Sequence, residues 1–111
     1  MTKLRISALG GAALAAVGLA AAPAAAEDYT VGMLLPYTGV YAALGEEIDQ
    51  GFMLALELHG HEIPDHSVTV IREDDEVNPQ VGLAKARKLV LEDEADVLVG
   101  IVSSAVLGAV R

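Results

Sequence analysis

From Tyr29 onward the chain alternates three short β-type runs with three helical patterns, and this alternation constrains its fold more than any other feature. The β-type runs span Tyr29–Leu35, Ser67–Arg72 and Asp96–Val102. Short strands separated by helices are typical of βαβ units, in which the strands are parallel. The order β-α-β-α-β-α therefore predicts an α/β fold built on a parallel sheet.

The helical patterns carry start and stop signals. The first helix is predicted over Tyr41–His59, with Gly60 suited to its C-terminal cap. Asn78 and Pro79 are typical of a helix cap and a first-turn proline, and they predict a second helix that runs to about Glu94. The third helix is predicted to begin at Ser103-Ser104. The side chains that the second helix is expected to bury are Val81, Ala84, Leu89 and Val90.

Right-handed crossovers limit the order of the strands in the sheet. If the first two helices cover opposite faces, strand one lies between the others in a doubly wound sheet of order 2-1-3. If both helices cover one face, the order is 1-2-3. The doubly wound form is favoured because a small open sheet needs both faces covered. Its ligand crevice lies outside the carboxyl ends of the strands, between the loops Pro36–Tyr41 and Ser103–Ala105.

Residues 1–26 have the composition of a secretory signal peptide. Two basic residues stand within the first five positions, Ile6–Ala22 is rich in Ala, Gly, Leu and Val, and Ala24-Ala25-Ala26 precedes Glu27. Small residues at this position are what a signal peptidase accepts. A retained anchor is disfavoured, because a run of about 17 small apolar residues is near the lower limit for a span. Cleavage is expected just before Glu27.

The remaining 85 residues are strongly acidic, with all 16 acids, only five basic residues and a net charge of −11 with His neutral. Like-charge repulsion disfavours nucleic acid and anionic membranes as partners. The chain has no cysteine, which excludes disulfides, thiolate chemistry and lipid attachment at the cleavage site. These features predict an exported periplasmic protein that does not insert into the membrane after its signal is removed.

Two clusters of polar residues are weak candidates for metal sites. Glu73–Glu76 lacks the glycine and the spaced ligands of a calcium loop, so a solvated turn is expected, with Asp and Asn satisfying backbone groups. Three histidines and Asp65 have suitable zinc donors, but they are expected at the amino end of the sheet, away from the crevice. The histidines are His59, His61 and His66. No metal or cofactor is therefore predicted.

An enzymatic function is also disfavoured. Ser103 and Ser104 lack a G-x-S-x-G elbow, and the histidines belong to the opposite end of the sheet. The chain after residue 26 contains no phosphate-loop or dinucleotide fingerprint. Binding without chemistry is predicted in preference to a secreted hydrolase.

Three segments resemble the Leu/Ile/Val-binding-protein-like family, the type I periplasmic solute-binding proteins of ABC importers. They read VGMLLPYTGVYAALGEEIDQGFMLALE, VIREDDEVNPQVGLAKARKLV and DVLVGIVSSAVLGAV, in the family's order and spacing. The resemblance covers nearly all of Tyr29–Arg111, and the family's usual Gly-Gly turn after the first helix is replaced by HGHEIPDH. It implies the first part of lobe one of a two-lobed protein. Such a protein closes over its ligand and then presents both lobes to an ABC permease in the inner membrane.

The resemblance also implies ligand-binding residues on the two loops. Ser104 matches a position that meets the ligand carboxylate in amino-acid binders, and Ser103 and the N–H group of Ala105 share the same helix start. A hydroxyl and N–H groups at a helix N-terminus stabilise an anion on physical grounds alone. Plain capping is the alternative for Ser104 and Ser103, turn formation for Thr38, and packing on the sheet for Tyr41. The residues implied on the first loop are Tyr37, Thr38, Tyr41 and Leu44.

The expected ligand is a small molecule that bears a carboxylate. The REDDEVNP and VGIVSSAVLGAV segments resemble members of the family that take aromatic or other bulky carboxylic acids. Branched-chain amino acids are the second possibility. A ligand-sensing ectodomain of a membrane receptor, which shares this fold, is the alternative function.

Overall fold

A computed structural model describes residues 27–60, 62–63 and 66–111. The elements, in chain order, are β1 (Glu27–Leu35), α1 (Ala42–Leu58), β2 (Glu62–Ile63), β3 (His66–Asp74), α2 (Pro79–Leu91), β4 (Val97–Gly100) and α3 (Ser104–Val110). A short 3-10 helix, Gly39–Tyr41, precedes α1. The predicted signal peptide, residues 1–26, lies outside the described residues.

The strands form one sheet in the order β2-β3-β1-β4. β1 pairs in parallel with β3 on one side and with β4 on the other, so the predicted order of the three parallel strands is confirmed. Leu35 is in register with Asp74, and Leu34 with Gly100, which brings the three carboxyl ends to one edge. The two-residue β2 is antiparallel to β3 and was not predicted.

The first two helices cover opposite faces of the sheet. Arg72 of β3 reaches Asp49 of α1. The next residue of the strand, Glu73, pairs instead with Lys85 and Lys88 of α2. Because successive side chains of a strand point to opposite faces, α1 and α2 lie on different sides, and the doubly wound arrangement is confirmed.

Strand β1 is the buried centre of the sheet. Met33, Leu34 and Leu35 are fully buried, as expected for a strand that helices cover on both faces. On the α2 face, Leu34 packs in one cluster with Ala86 and Leu89. Each large apolar side chain removed from water in this way stabilises the fold by about 1.5–3 kcal/mol.

Helix α2 begins where predicted and ends earlier. The Asn78 side chain accepts hydrogen bonds from the N–H groups of Gln80 and Val81, at 2.9 and 3.2 Å, which confirms the predicted cap. The last helical residue is Leu91, so the expectation that the helix reaches Glu94 is wrong. Glu94 has a φ of +52°, a left-handed conformation that a helix does not continue through.

The buried face of α2 follows the prediction only in part. Leu89 is fully buried and Val81 is half-buried, but Ala84 is exposed and Val90 is 47% exposed. The expectation that Ala84 and Val90 are buried is therefore wrong, because neither lies on the side that faces the sheet. That side consists of Gly82, Ala86 and Leu89.

Helix α1 has the predicted amphipathic pattern. Ile48, Phe52 and Leu56, spaced four residues apart, are among its half-buried positions, while Leu58 is largely exposed. Gly60 follows the helix with a φ of +70°, in agreement with its predicted role at the C-terminal end.

Candidate functional site

Three loops leave the carboxyl edge of the sheet side by side. Loop A (residues 36–41) follows β1, loop B (residues 75–78) follows β3, and loop C (residues 101–103) joins β4 to α3. Because β1 lies between β3 and β4, loop A is in the middle. The connections diverge to opposite faces on either side of β1, and this is where open α/β sheets form a ligand crevice.

Loop A is packed against the start of α1 through its backbone. Pro36 is fully buried, and a Cβ built on Gly45 would lie only 2.0 Å from the Pro36 carbonyl oxygen. A side chain at this position is incompatible with so close an approach, whereas glycine permits it. The first turns of α1 therefore rest directly on loop A.

Tyr37 of loop A is held by α1 and β3. Its hydroxyl donates to Asp49 Oδ2 at 3.1 Å, and Asp49 also accepts hydrogen bonds from Arg72 Nε at 2.6 Å and Nη2 at 2.9 Å. Burial and the neighbouring Asp49 raise the pKa of Tyr37, while the hydrogen bond from Arg72 holds the pKa of Asp49 below its usual range. Tyr37 is thus a neutral phenol whose proton is committed to Asp49.

Asp74, the last residue of β3, holds loop A from the other side. Its Oδ1 accepts the N–H groups of Tyr37 at 3.0 Å and Glu76 at 2.9 Å, and its Oδ2 accepts the Thr38 hydroxyl at 2.7 Å. Burial acts to raise the pKa of Asp74, but these hydrogen bonds outweigh burial and hold that pKa below its usual range. The group is therefore an ionised carboxylate at neutral pH.

The end of loop A and the start of α1 expose apolar side chains. Val40 is 90% exposed, Tyr41 45% and Leu44 42%. Tyr41 and Leu44 are the predicted lining positions, and their contact with a ligand stays a prediction. Val40, the most exposed of the three, was not singled out from the sequence.

Loop B is buried where a solvated turn was expected. Asp75 is fully buried, its N–H donates to the Leu35 carbonyl at 3.1 Å, and its Oδ1 accepts the N–H of Val77 at 2.8 Å. Its Oδ2 has no hydrogen-bond partner among the residues that the structure describes. The solvated turn is wrong for Asp75 because α2 covers it at Gly82, where a Cβ would lie 3.6 Å from the Asp75 Cβ. The expected bonds from Asp and Asn to backbone groups are confirmed.

The end of β4 and the start of loop C form a sharp left-handed turn. Gly100 has a φ of +121°, and a Cβ on it would lie 2.3 Å from the Leu34 carbonyl oxygen. Ile101 has a φ of +65°, and its N–H donates to the same oxygen at 2.8 Å. These two residues end β4 at Gly100, so the predicted extension of the strand to Val102 is wrong.

Helix α3 begins at Ser104, with Ser103 as its cap. The Ser103 Oγ accepts the N–H of Val106 at 3.5 Å, so Ser103 has the capping role weighed above. Ser104 and Ala105 are exposed, and N–H groups in the first turn of a helix have no partner within it. The structure therefore brings together, at the start of α3, the hydroxyl of Ser104 and the backbone N–H groups of Ser104 and Ala105. Contact of these groups with a ligand carboxylate stays a prediction.

The other clusters lie away from the three loops. His59 follows α1 and His66 begins β3, at the amino edge of the sheet, while His61 and Asp65 lie outside the described residues. In the described part of the chain, no group of three or more His, Asp or Glu side chains could hold a metal ion. A groove formed by α2, β4 and α3 is mainly apolar and contains none of the predicted site residues. No helix within the described ranges has the length and apolar character to cross a membrane.

A doubly wound sheet with three loops converging at its point of reversal is the architecture in which open α/β proteins bind small molecules. The chain belongs to the periplasmic binding protein family, whose model matches residues 28–111. The resemblance drawn from the sequence is thereby confirmed. Membership of this family of binding proteins also confirms the prediction of a non-enzymatic protein.

Individual relatives agree with this assignment. The chain is 32% identical over 89 residues to Leu/Ile/Val-binding protein homolog 6 of Brucella abortus (strain 2308), covering 79% of this chain and 23% of the relative. It is 38% identical, with a TM-score of 0.72, to an ABC-transporter solute-binding protein of R. palustris in complex with benzoate, covering 75% and 23% of the two chains.

A third relative is a solute-binding protein of Rhodopseudomonas palustris BisB5 in complex with 3,4-dihydroxybenzoic acid. It is 28% identical with a TM-score of 0.71, and the match covers 74% of this chain and 23% of that one. The chain therefore spans about a quarter of the length of each of these relatives.

Proposed function

We propose that this chain belongs to the substrate-binding component of an ABC importer and contributes to binding a small carboxylate-bearing ligand in the periplasm. The family match and the relatives support the importer role. The observation that carries the ligand class is the start of α3, where Ser103 caps the helix and leaves the Ser104 hydroxyl and the first-turn N–H groups beside loop C.

The two loops would divide the ligand between them. Charge-assisted hydrogen bonds from Ser104 and the N–H of Ala105 hold the carboxylate, and the positive end of the helix dipole adds to their attraction. The exposed apolar surface of Val40, Tyr41 and Leu44 packs against the body of the ligand, where an aromatic ring suits Tyr41. A second lobe closes over the ligand, and the closed form is recognised by an ABC permease.

Two ligand classes are supported to different degrees. The relatives in complex with benzoate and 3,4-dihydroxybenzoic acid favour aromatic carboxylic acids. The Brucella relative, named as a Leu/Ile/Val-binding protein homolog, keeps branched-chain amino acids as the second class. Both classes carry the carboxylate that the start of α3 would bind.

Isothermal titration of the full-length protein without residues 1–26 tests this function. Benzoate, 4-hydroxybenzoate and leucine are titrated into wild type, Ser104→Ala and Ser67→Ala. Ser104→Ala is expected to weaken binding about tenfold, because a hydrogen bond to a charged group is lost. Ser67→Ala is the matched control, since Ser67 is exposed near the amino end of β3. Unchanged affinity of Ser104→Ala for every carboxylate would show that the assignment is wrong.

A further inference from the structure

Besides the side that faces the sheet, helix α2 presents a stripe of residues at the spacing i, i+4, i+7 and i+8, which share one face of a helix. We call this set the α2 stripe, and it consists of Leu83, Arg87, Val90 and Leu91. All four line the apolar groove between α2, β4 and α3. Val90 is 47% exposed and Leu91 is 74% exposed, so the C-terminal end of α2 leaves two apolar side chains in solvent.

Arg87 is the charged group of the α2 stripe. Other basic side chains of the chain, those of Arg72, Lys85 and Lys88, are held in ion pairs with acids. Arg87 is exposed, and no ion pair within the described residues involves it. A guanidinium is always charged and only donates hydrogen bonds. A surface that fits the α2 stripe therefore presents apolar side chains with a carboxylate beside them.

The chain itself carries such a surface, because its sequence around the end of α2 is complementary to its own reverse. Arg87 stands three residues before Val90, and Glu94 stands three residues after Leu91. Glu94 is exposed in the turn that follows α2. A two-fold axis between Val90 and Leu91 makes the α2 helices of two copies antiparallel and places Val90 on Leu91 of the second copy. The same axis places Arg87 opposite Glu94 of the second copy, and it does so twice.

We propose that the α2 stripe is the interface of a two-fold symmetric dimer, in which the α2 helices of two copies of this protein pack antiparallel at Val90 and Leu91. The apolar contact supplies the affinity, and the two pairs of Arg87 with Glu94 fix the antiparallel register. A patch of this size predicts a weak dimer with a Kd of about 1–100 µM.

The dimer leaves the ligand crevice open. Helix α2 starts after β3 and runs back toward the beginning of β4, so its C-terminal end lies at the amino edge of the sheet. Loops A, B and C leave the opposite, carboxyl edge. The inference therefore goes beyond the proposed binding function and does not depend on it.

Sedimentation velocity of the full-length protein without residues 1–26, over a range of concentrations, measures the dimer. Leu91→Gln removes the apolar contact without a change of charge and should weaken the dimer about 100-fold, about tenfold for each of the two symmetry-related contacts. Leu58→Gln is the matched control. Leu58 is 76% exposed against 74% for Leu91 and belongs to α1, on the other face of the sheet, so this variant should dimerise as wild type does.

Charge reversal tests the register of the two helices. Arg87→Glu and Glu94→Arg each bring like charges together twice and should each weaken the dimer about tenfold. The double variant restores opposite charges in the reverse sense, and its Kd should return to within about threefold of wild type. Glu57→Arg changes the net charge as Glu94→Arg does, but on the exposed side of α1, and it should have no effect.

The outcomes that overturn the proposal are distinct from a failure of the binding function. Wild type that stays monomeric up to about 1 mM would show that the α2 stripe does not join two copies. Equal weakening by Leu91→Gln and Leu58→Gln, or no recovery in the double charge variant, would show that a dimer uses another surface. Titration of the same samples with benzoate and leucine tests the proposed function separately, because wild type that dimerises and binds neither compound contradicts that function alone.

Discussion

Gly45→Ala is the substitution whose effect follows most directly from the structure. The new Cβ would lie 2.0 Å from the Pro36 carbonyl oxygen and 2.8 Å from its carbon, whereas real Cβ atoms essentially never approach closer than 3.0 Å. The obstacle is backbone, which has no rotamer to adopt. Loop A and the start of α1 must therefore separate by at least 1 Å.

The expected change in the free energy of unfolding for Gly45→Ala is the difference between two opposing effects. Alanine in a helix is more favourable than glycine by about 1 kcal/mol. Overpacking a close contact costs about 1–3 kcal/mol, and the upper end applies here because both partners are main chain. Gly45→Ala is thus expected to destabilise the protein by about 2 kcal/mol.

The same helix provides the control. Gly51 of α1 has nothing within 4 Å of its ideal Cβ, so Gly51→Ala gains the helix preference without a clash and should stabilise by about 1 kcal/mol. Urea unfolding of the full-length protein, followed by circular dichroism, measures both variants. With an m-value of about 2 kcal/mol/M, the two midpoints should differ by about 1.5 M. Equal midpoints would refute the close approach of Gly45 to Pro36.

Two further predictions concern the ties around loop A and α2. The hydrogen bond from Arg72 lowers the pKa of Asp49 below its ordinary value. The pair therefore stabilises the fold above the ordinary pKa of an aspartate, about 3.9, and this contribution is lost as the pH falls through the folded-state pKa. Asp49→Asn should lower the Tm at pH 7 and make the Tm fall less steeply below about pH 4 than it does in wild type. Thermal melts of both proteins at several pH values measure this, and a parallel loss of Tm in the two would contradict the prediction. Asn78→Ala should destabilise the protein by about 1 kcal/mol through loss of the α2 cap. Asn78→Asp keeps a capping oxygen and should retain most of the wild-type stability. Equal urea midpoints for Asn78→Ala and wild type would show that the cap contributes nothing.

The parts of the fold that were predictable are those encoded locally. The three parallel strands follow from short apolar runs, and the start of α2 follows from Asn78 and Pro79, because cap and strand signals act over a few residues. The order of the strands needed only the crossover rule and the requirement that both faces be covered. β2 was missed because a two-residue strand carries no periodicity.

The hydrogen bonds that fix loop A were not predictable from local patterns. Asp74 bonds to Tyr37 and Thr38 across 37 and 36 residues of sequence, so no spacing along the chain signals them. The acidic run Glu73–Glu76 also predicts a solvated segment, yet α2 buries Asp75 within it. The sequence placed Tyr37 and Thr38 in the right loop, but only the structure shows that both hydroxyl protons are used inside the protein.

Loops B and C each donate a backbone N–H to the end of β1, from Asp75 to the Leu35 carbonyl and from Ile101 to the Leu34 carbonyl. Neither loop can swing without breaking a main-chain bond to the most buried strand of the sheet. In the proposed binding role this edge acts as a preorganised template, since its ordering entropy is lost when the chain folds and not when the ligand arrives. Under the proposed function, we therefore expect a ligand to be enclosed by one lobe rotating as a rigid unit against the other, with loops B and C carried along unchanged.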